Sequence, residues 1–83
     1  MDIIIHPHAR NRMRERGATE EEIRLTVKGG EQFPAKYGRI GFRRNFSFSG
    51  TWRGKRYATK QVEVYTVMED QVCVIITVIV RYF

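Results

Sequence analysis

Apolar residues change their spacing once along this chain, near Pro34: before it they recur at helical intervals, after it they alternate. Residues 7–16 read as a helix. Pro7 suits a first helical position, where its missing N–H costs nothing, and Gly17 suits the residue just past the end. Thr19 followed by Glu22 is a capping-box pattern, and Glu20, Glu21 and Glu22 place negative charge at a helix start. That second helix should run to about Lys28, end at Gly29-Gly30, and bury Ile23, Thr26 and Val27. Asp2 to Ile5 is either a short edge strand or a lead-in.

Beyond Pro34, Ile40, Phe42, Phe46 and Phe48 alternate with Gly41, Arg43, Asn45 and Ser47. Arg44 falls on the aromatic side, which calls for a bulge or an inward-facing cation. Gly50 to Gly54 reads as a turn, Tyr57 to Met68 as a second alternating strand, and Glu69 to Gln71 as a hairpin connection. Val72 to Phe83 is apolar on both faces, as in a central strand covered on both sides. The expected fold is α+β: two N-terminal helices packed on one face of a three- to four-stranded antiparallel sheet.

With 83 residues the chain makes a single domain over 1–83, with self-association into a homodimer open to it. The 42% apolar content is that of a globular chain. One cysteine, Cys73, excludes an internal disulfide and reads as a buried, inert thiol. The start has no basic stretch ahead of an apolar one, and Val72–Val80 is far short of the roughly 20 residues of a membrane helix. A cytoplasmic protein without membrane attachment is expected.

Charge changes the picture more. The net charge is +6, and eight of fifteen Lys and Arg lie between Lys36 and Lys60, a window without Asp or Glu that also holds six of ten aromatics. Cations bind phosphates and release counterions, while exposed aromatics stack on unpaired bases, so RNA is the expected partner. The phenylalanines read as core. Arg43, Arg53, Lys55, Arg56 and Lys60 read as a polyanion-facing surface, and Trp52 either stacks on a base or caps the core. On the first helix, His8, Arg12 and Glu15 fall within one ~60° wedge. They suit an acid–base and phosphate site, or else an Arg12–Glu15 surface ion pair beside an incidental histidine. His6 and His8 lack further ligands at metal-binding spacing, so neither a metal nor a cofactor is expected.

Residues His8-Ala9-Arg10-Asn11-Arg12-Met13-Arg14-Glu15-Arg16-Gly17-Ala18, then Thr19 to Ile23, resemble a family of small bacterial and phage proteins. That family is catalogued as a domain of unknown function and opens on His-Ala-x-x-Arg-Met-x-Glu-Arg-Gly. The run Tyr57 to Val64 and the closing Val-Ile-Val-Arg-Tyr-Phe resemble it too. The family is placed in the barnase–EndoU–colicin–RelE nuclease-like superfold, whose members include metal-independent ribonucleases and toxins held by acidic antitoxin proteins. The resemblance implies His8 as general base or acid, Arg12 and Lys60 on the scissile phosphate, and Glu15 as an orienting group, with Tyr57 or Tyr65 a weaker second proton carrier. The alternative expectation is a non-catalytic RNA- or protein-binding module of the same fold.

Overall fold

A computed structural model describes residues 2–83. Its elements are β1 (Asp2–Ile5), α1 (Pro7–Arg16), α2 (Glu20–Gly29), β2 (Glu31–Pro34), a 3-10 turn (Lys36–Gly38), β3 (Ile40–Trp52), β4 (Lys55–Glu69) and β5 (Val72–Tyr82). The five strands form one mixed sheet in the order β1-β5-β4-β3-β2. This corrects the expected three- to four-stranded, all-antiparallel sheet: β1 pairs with β5 in parallel, Ile3 beside Cys73 and Ile5 beside Ile75. Short turns do dictate antiparallel pairing for β3, β4 and β5. They say nothing of β1, which reaches its partner only after the rest of the chain has crossed the sheet. The four-residue strand β2, paired antiparallel with β3, is the other addition.

Both helices do lie on one sheet face. Ala9 and Met13 of α1 and Ile23 and Val27 of α2 pack with Ile3, Ile5, Val62, Val64, Ile75 and Val78 in a single buried cluster. Helix α1 contributes little apolar surface to it and is held at its ends. The His6 Nδ1 accepts the His8 N–H at 3.1 Å, and Gly17 closes the other end at φ 79°. Around that end, the Tyr82 hydroxyl donates to the Arg16 carbonyl at 2.8 Å and the Lys60 ammonium donates to the Gly17 carbonyl. In α2 the capping box is complete, Thr19 and Glu22 bonding each other's backbone N–H at 2.9 and 3.1 Å.

The pairing of β3 with β4 runs unbroken from Ile40 to Ser47, so no bulge surrounds Arg44. Its guanidinium instead reaches the end of α2, donating to the Leu25 carbonyl at 3.2 Å and lying 5.2 Å from the centroid of the Phe46 ring. A long side chain thus crosses the core edge to satisfy a helix-terminal carbonyl. Irregularities fall elsewhere, between Ser47 and Gly50 in β3 and where Thr66 and Tyr65 of β4 face Ile75 and Thr77. The second leaves Ile76 as an extra residue and reverses the phase of β5. Both its faces therefore read as apolar, although only one is covered by helices.

Candidate nucleic-acid interface

The residues expected to act together are divided among three places. His8 is exposed near the start of α1, and Arg12 is ion-paired with Glu15 at 3.2 Å on the same helix. That pair is the ordinary i,i+3 contact of a solvated helix face. Lys60 lies at the opposite end. Only 6% exposed, its ammonium bonds the Gly17 carbonyl and lies 2.8 Å from the Glu22 carboxylate. His8 and Gly17 are nine residues apart on one helix, roughly 13 Å along its axis, so His8 and Lys60 do not meet at one phosphate. Glu22 meanwhile serves two ends at once, capping α2 and neutralising the buried lysine.

The tip of the β3–β4 hairpin is different. Strand β3 extends to Trp52, and the turn is the pair Arg53-Gly54 with φ of 51° and 82°, the two positive values a tight hairpin turn of this hand requires. Arg53, Lys55 and Arg56 are exposed, and among the described residues none is within ion-pair distance of a carboxylate. Arg53 sits 5.2 Å from the centroid of the Trp52 ring, and Lys55 5.9 Å from that of Tyr57. Trp52 stacks on Tyr82 at 4.9 Å with 13° between planes, so it caps the core end while staying half-exposed beside these cations, of which Arg53 also donates to the Glu15 carbonyl at 3.4 Å. The two readings of Trp52 are compatible here.

Arg43 leaves this surface for the helix-free face of the sheet. Its Nε donates to Glu63 at 2.8 Å, and Arg81 donates to the same carboxylate oxygen at 3.2 Å. The other oxygen accepts the Tyr65 hydroxyl at 2.5 Å. Glu63 is only 2% exposed although no helix covers it. Burial alone would raise its pKa. Hydrogen bonds from Tyr65 and Arg43 and the charges of Arg43 and Arg81 outweigh that and hold it below the ordinary carboxylate value. The bond to Glu63, and then burial, push Tyr65 above the ordinary phenol value.

Beside this network lies a cleft of about 640 Å³ between the sheet and the loop from β2 to β3. Phe33 and Tyr65 form its floor, edge to face at 6.0 Å, and Lys36, Tyr37 and Arg39 stand at its mouth. Gly41, paired with Phe33 across the strands, leaves the space this ring occupies: a Cβ there would lie 2.3 Å from it. Sequence reading misses the cleft, since Lys36, Tyr37 and Arg39 look like scattered members of the basic window. The alternation that sets Glu63 and Tyr65 on one face was its one visible sign. Among the described residues no cluster of His, Cys, Asp and Glu could hold a metal, and no helix is long and apolar enough to cross a membrane.

Comparison with family models, curated proteins and solved structures returned no match.

Proposed function

We propose that this chain is a single-stranded RNA-binding domain whose primary contact is the tip of the β3–β4 hairpin. One observation carries the reading: Arg53, Lys55 and Arg56 project without a carboxylate partner among the described residues, beside the half-exposed rings of Trp52 and Tyr57. Unpaired cations bring phosphates close, and adjoining aromatic rings offer stacking to bases free of a partner strand. The likeness of residues 8–18 to a family placed among ribonuclease-like proteins supports RNA as the strand. Cleavage is not part of the reading, because His8 and Lys60 lie at opposite ends of α1 and Lys60 is already engaged by Gly17 and Glu22.

Binding of a fluorescent single-stranded RNA should weaken steeply with salt. Replacing Arg53, Lys55 and Arg56 together by Gln should reduce the slope of log K against log salt by about 2, from three contacts at roughly 0.7 each. A slope unchanged by the triple substitution contradicts the proposal. In EDTA the RNA should stay intact. Cleavage that disappears in His8→Ala would instead establish the ribonuclease reading.

A further inference from the structure

We propose that the cleft on the helix-free face is a second site, which takes one nucleoside monophosphate unit: the base on its aromatic floor, the phosphate on Lys36 and Arg39. The site stands apart from the hairpin. Tyr65 and Tyr57 are eight residues apart on β4, roughly 27 Å, so the two surfaces share no side chain.

Four observations select this ligand. The first is charge: Lys36 and Arg39 are exposed at the mouth, no Asp or Glu lines the cleft, and neither cation has a carboxylate within ion-pair distance among the described residues. The neighbouring carboxylate, Glu63, has both oxygens occupied by Arg43, Arg81 and Tyr65, so it adds no free negative charge. An anion is therefore favoured.

The second is rigidity. With its hydroxyl tied to Glu63, Tyr65 offers the cleft an aromatic ring rather than a free hydroxyl, and Phe33 is seated over Gly41 and against it. A fixed aromatic floor favours a flat ring over a flexible aliphatic chain.

The third is exposure. Tyr37 and Gly38, at φ 62° and 71°, form the turn between β2 and β3, closed by the Arg39 N–H donating to the Lys36 carbonyl at 3.3 Å. The turn accounts for the backbone, which glycine would adopt more readily than tyrosine, but it does not account for the ring. That ring is 87% exposed beside the cleft, where a ligand can reach it. Arg39 lies 5.5 Å from the centroid of the Tyr37 ring, so cation and ring are presented together.

The fourth is size. A cleft of about 640 Å³ falls within the range of small-molecule sites and holds one nucleotide rather than a helix or a duplex.

The probe is AMP, titrated into the intact chain and followed by amide chemical shifts, with adenosine and ribose 5-phosphate as partial ligands. AMP should shift residues 33–41, Tyr65 and Thr77, and each partial ligand should bind at least about tenfold more weakly. Tyr37→Gly should weaken AMP about fivefold or more while raising the denaturation midpoint, because glycine adopts the turn conformation more readily. Lys36→Gln with Arg39→Gln should abolish the preference for AMP over adenosine. AMP binding should persist when Arg53, Lys55 and Arg56 are replaced by Gln, which separates this site from the hairpin. In that hairpin variant, displacement of AMP by a short oligoadenylate assigns the nucleotide to a strand, and resistance to displacement assigns it to a free nucleotide. AMP affinity unchanged by Tyr37→Gly, or shifts confined to residues outside the cleft, would overturn the proposal.

Discussion

Glu63 is the residue on which the helix-free face depends. A carboxylate 2% exposed on an uncovered sheet face needs its charge matched, and Arg43, Arg81 and Tyr65 supply three donors. Because the folded state lowers its pKa, the stabilisation is fully present above the ordinary value of 4.5 and is lost as pH falls through the lower folded value. Tyr65 has the opposite sign. Its raised pKa makes its contribution complete below the ordinary value of 10.0 and lost as pH rises through the higher folded one. Glu63→Gln should cost about 2 kcal/mol in denaturant unfolding at neutral pH, since its half-exposed arginines can recover water, and should flatten the acid limb. An acid limb as steep as the parent's would remove Glu63 from this account. At this scale the sequence was partly legible. Parity along β4 puts Lys60 in phase with Val62 and Val64, hence inward, yet its charge suggests solvent; the Gly17 carbonyl and Glu22 settle the conflict.

The two helices show what elements reveal of themselves. Their limits follow from Pro7, Gly17, Thr19, Glu22 and Gly30, because capping is local chemistry carried by a few residues. What holds α1 in place is not local. It buries little besides Ala9 and Met13 and is tied down by Tyr82 and Lys60, both distant in sequence. Gly17→Ala should therefore be severe for an exposed-looking helix end. The new Cβ would lie 2.7 Å from both Trp52 and Tyr82, at φ 79°. A loss of about 1–3 kcal/mol is expected from the backbone strain alone, read as a lowered denaturation midpoint. Tolerance of Ala there would mean that α1 is not seated on the aromatic cluster. Strand β1 was the least legible element, because a parallel pairing between Asp2–Ile5 and the far end of the chain leaves no turn signal to read.

Taken whole, the molecule is 41 Å long, with exposed cations and half-exposed rings at the hairpin tip. The basic, aromatic window in the sequence thus resolves into parts. Phe42 and Phe46 pack against the core, Arg43 serves Glu63, and Lys60 and Arg44 serve the helix ends. Arg53 also donates to the Glu15 carbonyl at 3.4 Å, but Arg53, Lys55 and Arg56 stay exposed with no carboxylate partner among the described residues. Composition showed that cations were in excess but not which of them would be consumed by the fold, since ion pairs between strands depend on register. The most direct test of the RNA-binding reading is a map of amide and indole chemical shifts on adding single-stranded RNA at low salt. The largest changes should fall on the Trp52 indole and on residues 53–57, with His8 and Arg12 unmoved. A map centred on His8, Arg12 and Glu15 that leaves Trp52 and residues 53–57 unchanged would contradict it.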